Sequence, residues 1–229
     1  MKFTSQIIAA GSGSIGGCVY SRNRSGPYIR NRSIPVNPGS DFQSAIRGAF
    51  ATLVARWTEI LTAQQRDSWD SYAIAVPVTD ALGRSITLTG QNHYIRSNTA
   101  RIEFGYAPID DGPTVYDLGS FTNPSIVADS SAVTIAVTFD NTDAWADEDN
   151  AAMFIYAGRP FSASRNFFKG PYRAMVPIEG VTGTPPTSPQ TKTAPFPMAA
   201  GNKVGFACRV SRADGRLSSM FRTIAVVQA

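Results

Sequence analysis

The longest regular alternation of apolar and polar positions runs from Ser40 to Tyr72. Within it Phe42, Ala45, Ile46, Ala49, Phe50, Leu53, Val54, Trp57, Ile60 and Leu61 recur at steps of three and four residues, which lays one apolar stripe along a helix. Ser40 stands three residues before Gln43, the spacing of a capping box, and Pro38-Gly39 keeps the helix from starting sooner. Thr62 and Gln65 repeat that spacing and restart a helix that carries Trp69, Tyr72 and Ala73 to the same side. The stretch reads as a helical hairpin. None of its apolar positions carries a group able to do chemistry, so it is expected to be scaffold.

The flanking patterns differ. In residues 1–39 an apolar run at Ile7 to Ala10 and the string GSGSIGG precede CVYSRNRSGPYIRNRSIPVNPG. There Val19, Ser21 and Asn23, and then Tyr28, Arg30 and Arg32, alternate as in strands, with a turn expected at Ser25-Gly26. With many glycines and few large apolar side chains, this segment reads as an extended arm that orders by lying on another surface. Beyond the hairpin, Val76, Val78, Ile86 and Leu88 predict two short strands around a turn at Asp80 to Gly83. Thr89 then caps a third helix from about Gly90 to Phe104, with Tyr94, Ile95, Asn98 and Ile102 on one face. Pro108 to Pro113 (PIDDGP) has the composition of a linker.

From about residue 114 the period falls to two. Val133, Ile135, Val137 and Phe139 alternate with Thr134, Ala136 and Thr138, Met153 to Ala157 forms an apolar run, and Phe206, Cys208 and Val210 alternate with Ala207 and Arg209. Ile224 to Val227 closes the series. Ala213-Asp214-Gly215-Arg216 is a hairpin signal between the last two strands, and the proline-rich TPPTSPQTKTAPFP is expected as an exposed loop outside the sheet. The expectation is an α+β chain in two domains: an arm at 1–39, a small helical domain at 40–107, a linker at 108–113 and an antiparallel β-sandwich at 114–229.

Composition narrows the function classes. The 229 residues are 43 % hydrophobic and 17 % charged, ordinary for a soluble globular protein. No apolar run approaches the roughly 18 residues of a membrane span, and the start, MKFTSQIIAAGSGS, is too short in apolar residues for a signal peptide. Synthesis in the cytoplasm and no membrane partner are therefore expected. Cys18 and Cys208 stand in apolar or glycine-rich contexts and read as buried free thiols. The net charge of +4 hides an asymmetry, because Lys2, Arg22, Arg24, Arg30 and Arg32 all precede the first acid, Asp41. Such an arm suits a negative surface, either a phosphate backbone or the acidic face of a protein.

Three patterns invite chemistry. Gly11-Ser12-Gly13-Ser14-Ile15-Gly16 matches the dinucleotide fingerprint, but GCVYSRNRSGP follows it instead of a helix, and no acid appears before Asp41. A glycine hinge is the expected role. Asp140, Asp143, Asp147, Glu148 and Asp149 cluster, yet the glycine that a helix-loop-helix calcium site needs at its sixth position is Trp145. A solvated loop is the default, with an irregular calcium site as the alternative. His93, the single histidine, has no Ser, Cys or Asp placed to complete a triad. No catalytic residue, cofactor or metal site is expected. Tyr20, Arg22, Arg24, Tyr28, Arg30 and Arg32 form the candidate partner-binding set, a mixture suited to nucleic acid but favoured at protein interfaces.

Two resemblances bear on the role. SAVTIAVTF and KVGFACRVSRADGRLSSMFRTIAVV resemble strands of a fibronectin type III or immunoglobulin-like module, without the Cys and Trp spacing of an antibody domain. GGCVYSRNRSGPYIRNRSIPVNPGSDFQSAIRGAF, LTAQQRDSWDSYA and GQNHYIRSNTAR, in that order, resemble a family of virion proteins encoded by tailed phages and prophages. That family joins a Gly/Arg arm ending in Pro-x-Asn-Pro to a Gln-containing helix, a Gln-Arg-x-x-Trp helix and an Asn-x-Tyr element. The resemblance implies a structural, non-enzymatic component of the particle. A capsid decoration or cement protein is the leading expectation, a tail or head-to-tail connector the next, and a nucleic-acid-binding protein the third. The implied partners are major capsid or tail subunits and further copies of the chain.

Overall fold

The computed structural model describes residues 13–23, 26–34, 36–37, 39–79 and 84–229, which form two compact units, Met1–Asp41 and Phe42–Ala229. In the first, β1 (Gly13–Ile15), β2 (Cys18–Asn23) and β3 (Gly26–Asn31) make a three-stranded antiparallel sheet in chain order. Gly16, at φ +56°, supplies the left-handed turn between β1 and β2 that a side chain would strain.

The second unit opens with α1 (Asp41–Glu59), α2 (Ala63–Ala75) and α3 (Gly90–Glu103), separated by a hairpin of β4 (Val78–Thr79) and β5 (Ser85–Ile86). The expected turn at Asp80 to Gly83 lies outside the described residues. The capping box at the start of α2 is formed, with Gln65 N donating to Thr62 Oγ1 at 3.2 Å and Thr62 N donating to Gln65 Oε1 at 3.0 Å. Thr89 caps α3 through the Asn92 amide.

The helices share a small aromatic core. Leu53 and Leu61 join Trp69, Tyr72, Tyr94 and Ile95 there, and Trp69 meets Tyr94 edge-on at 5.6 Å. The stretch read as a linker is a strap bonded to this core. Ile109 N donates to Asn98 Oδ1 at 2.7 Å while Asn98 Nδ2 donates to the Ile109 carbonyl at 3.0 Å. Trp69 Nε1 donates to the Asp110 carbonyl at 2.9 Å and Gly112 N to Ser68 Oγ at 2.9 Å. Arg56 grips the Asp110 carboxylate with two hydrogen bonds of 2.7 and 2.6 Å, and the Tyr94 hydroxyl donates to it at 3.3 Å. Gly112 is required by proximity, because a Cβ there would stand 2.6 Å from Trp69 N. A polar, proline-bounded composition resembles a linker, but here its polar groups are spent on the helices.

The remaining strands are β6 (Ser125–Asp129), β7 (Thr134–Thr138), β8 (Ala152–Gly158), β9 (Tyr172–Ala174), β10 (Ile178–Glu179), β11 (Gln190–Thr193), β12 (Lys203–Ser211) and β13 (Phe221–Gln228). They form one eight-stranded sheet in the order β10-β8-β12-β13-β6-β7-β11, with β9 also on β8. An antiparallel sandwich was the expectation; a single curled, mixed sheet, a half-barrel, is what the strands build. The cause is β13. It runs antiparallel to β12 over Phe221 to Val226, then pairs parallel with β6 through Val227 and Gln228, so one strand joins two wings that separate sheets would keep apart. The wings curl around Ile135, Val137, Trp145, Met153, Ile155 and Phe206.

Two further expectations change. The proline-rich loop is partly sheet, since Gln190 to Thr193 pair with Thr134 to Val137 as edge strand β11. Those four residues contain no proline, and an edge tolerates Pro189 and Pro195 beside them. The Asp214-Gly215 turn does not join β12 directly to β13. It crowns an excursion in which Gly215, at φ +93°, approaches the aromatic core so closely that a Cβ would lie 3.0 Å from the Trp69 ring.

α3 links the helical and β parts. Every residue of β8 is buried because Met153 and Ile155 face the half-barrel while Ala152, Phe154 and Tyr156 face Ala100 and Phe104. Phe104 stacks on Phe154 at 4.4 Å. Arg101, only 4 % exposed, has no carboxylate partner among the described residues. It donates instead to the Ala107, Asn150 and Arg212 carbonyls and Ser211 Oγ at 3.1–3.4 Å, oxygens from the residue before the strap, the loop before β8 and the end of β12. Arg101→Ala leaves these buried acceptors unpaired, so it is expected to cost about 3 kcal/mol in urea-induced unfolding. Helical and β signals should still be lost in one shared transition.

Candidate assembly surface

The candidate partner-binding residues fall in the first unit, and strand pairing decides which of them share a face. Tyr20 pairs with Ile29 and Arg22 with Pro27, whereas Tyr28 pairs with Ser21 and Arg30 with Val19. Because side chains alternate along a strand, Tyr20 and Arg22 lie on one face of the sheet and Tyr28 and Arg30 on the other. Arg32 follows β3, its amide donating to the Gly17 carbonyl at 2.8 Å. Arg24 lies outside the described residues. The sheet therefore spreads its arginines and tyrosines over two faces. None of its described side chains is buried.

The apolar stripe that the sequence lays along α1 is covered only in part. Its C-terminal half packs into the aromatic core through Leu53, with Val54 and Trp57 at the margin. In the N-terminal half, Phe42 and Phe50 are 38 % and 52 % exposed. The Arg173 guanidinium stands 4.5 Å from the Phe42 ring centre, a cation over an aromatic face.

The patterns that invite chemistry have structural occupations. Gly11 and Ser12 of the glycine string lie outside the described residues, and from Gly13 the string forms β1 and turns into β2, not into a helix. In the acidic segment, Asp143 is buried and accepts from Thr122 N at 2.7 Å, Asp147 accepts from Gly183 N at 2.6 Å, and Asp149 from Thr182 N at 3.0 Å. Glu148 pairs with Arg212, and Asp140 caps its own turn through Thr142 at 2.9 Å. Trp145, fully buried against Phe139, holds the segment to the half-barrel. Among the described residues no three His, Cys, Asp or Glu side chains converge in a metal-holding group.

His93 is fully buried, edge-on to Tyr72 at 5.2 Å, and among the described residues neither ring nitrogen makes a hydrogen bond of good geometry. Burial first, and the charge of Arg96 second, push its pKa below the ordinary value, while the backbone near Val76 acts more weakly the other way. Cys208 is a buried thiol whose pKa desolvation raises to about 12, while Cys18 is partly exposed. Sequence reasoning singled out neither Asp110 nor Arg96, Arg209 and Arg222, whose surroundings come from segments far apart in the chain.

Comparison of the chain with protein-family models, with curated proteins and with solved structures finds no match. Among the described residues no helix is long and apolar enough to cross a membrane.

Two outcomes are expected. Unfolded His93 takes up a proton near pH 6.5 and the folded ring resists it, so its contribution is complete above that pH and fades as the pH falls toward the folded value. Urea unfolding between pH 7.5 and 5 should show stability falling by up to about 1.4 kcal/mol per unit, and His93→Gln should remove that slope. In native protein, iodoacetamide should label Cys18 and spare Cys208, with both labelled in denaturant.

Proposed function

We propose that this protein is a structural component of a tailed-phage particle, a capsid decoration or cement protein that holds neighbouring virion subunits through its N-terminal arm. The observation that carries this reading is the contrast between the two units. The arm presents Tyr20, Arg22, Tyr28 and Arg30 on a small sheet in which none of the described side chains is buried, and a surface of that kind gains its order and its energy from a partner. In the larger unit Asp110, Asp143, Asp147, Glu148 and Asp149 take internal hydrogen bonds or ion pairs and His93 is buried in the packing, as in a scaffold. The resemblance of the first hundred or so residues to phage virion proteins gives the partner class, namely major capsid subunits. Tail or connector subunits are the competing location within the same particle.

Purified particles from the encoding phage or prophage test this by quantitative mass spectrometry. The protein should be present in many copies per particle, in a fixed ratio to the major capsid subunit. A chain lacking residues 1–39 should fold and fail to incorporate. Absence from the particle overturns the reading, as does incorporation that does not depend on the arm. A copy number of about a dozen or fewer moves the protein to the tail or connector.

A further inference from the structure

Two recesses in the second unit share Met220 as a wall. The larger, about 460 Å³, is lined by Val76, Leu88, Arg96 and Leu217. The smaller, about 220 Å³, is lined by Glu103, Tyr156, Tyr172, Arg209 and Arg222. Three arginines thus face one carboxylate among the described lining residues. Their donors are underused. Among the described residues, Arg209 gives one of its five N–H groups to the Tyr156 hydroxyl at 3.1 Å, and its shielded Nε has no acceptor. Arg96 gives one to the Ser218 carbonyl at 3.3 Å. The Tyr156 hydroxyl donates in turn to Glu103 at 3.1 Å, and the Glu103 charge also acts on Arg209, which still leaves the described lining with more cations than acids. Arg96 and Arg209 also repel each other, a cost that an anion between them relieves.

We infer that this groove is a docking site for a partner's chain segment carrying a carboxylate flanked by apolar side chains. The carboxylate meets the forked donors of Arg209 and Arg96, for which planar bidentate pairing is the favoured geometry. Leu217, Met220, Val76 and Leu88 line the apolar walls beside it, where leucine-sized neighbours of the acid lose water. A free inorganic anion uses the cations but leaves those walls wet, so charge and apolar lining together favour a peptide carboxylate. The inference does not depend on the particle reading, since its evidence lies wholly in the second unit.

The test titrates full-length protein with N-acetyl-Leu-Asp-Leu-amide, N-acetyl-Leu-Asn-Leu-amide and inorganic phosphate, following arginine Nε–H signals by NMR. The Asp peptide should give saturable shifts at Arg96 and Arg209, and the Asn peptide should bind about tenfold more weakly. Arg209→Gln should weaken the Asp peptide by a similar factor with the fold intact by thermal unfolding. Arg222→Gln, at an exposed position where folding is not at stake, should weaken it at least twofold. Equal binding of the two peptides, shifts confined to other arginines, or tighter binding of phosphate than of the Asp peptide would overturn the inference.

Discussion

The Asp110 carboxylate and carbonyl together hold the three helices in register. The carboxylate takes both arms of the Arg56 fork from α1 and the Tyr94 hydroxyl from α3, while the carbonyl takes the indole N–H of Trp69 from α2. Arg56 holds this carboxyl below the usual carboxylate range. The pair is partly exposed, at 30 % and 23 % of the two side chains, so its Coulombic attraction is worth only about 1 kcal/mol. Its importance is geometric. A helical trio with a core of a few side chains is small to stand alone, and Asp110 fastens it where the chain turns toward the sheet.

From that point α3 carries the connection. Tyr94 and Ile95 serve the aromatic core, and Ala100, with Phe104 just beyond the helix, serves the outer face of β8 and β12. Between them Arg101 satisfies oxygens contributed by three other segments. A helix buried this completely cannot show a clean amphipathic stripe, and a strand with both faces covered, like β8, shows an unbroken apolar run. The Asp214-Gly215 turn completes the joint from the sheet side by reaching Trp69. Helices and half-barrel form one body for these reasons.

The local signals in the sequence were legible where the physics is local. Capping at Thr62 and Thr89 and alternation at Ile135, Val137, Phe206 and Cys208 depend on neighbours a few residues away, and each marks its element. What was illegible depends on long-range pairing. The parallel contact of Val227 and Gln228 with β6, which turns a sandwich into a half-barrel, leaves no trace in alternation. PIDDGP has linker composition because its partners Asn98, Trp69 and Arg56 are remote in sequence. The periodicity of α1 marks apolar positions without saying which ones find a partner, so Phe50 and Leu53 look alike on paper and differ in burial. Of the candidate surface, the residue types were legible, but their division between two sheet faces is a matter of register.

The chain divides into a body held together by internal bonds and an arm whose described side chains are not buried. In the body, the acidic segment and Asp110 bond to internal partners and His93 is buried against Tyr72; in the arm, no described arginine or tyrosine side chain is buried. Hydrogen–deuterium exchange of the isolated protein and of the same protein in assembled particles tests this division most directly. Slowed exchange on assembly should concentrate in residues 13–41, while the strap, α3 and β8 are equally protected in both states. Unchanged exchange in the arm, or a strap and α3 that exchange independently of β8, would contradict it.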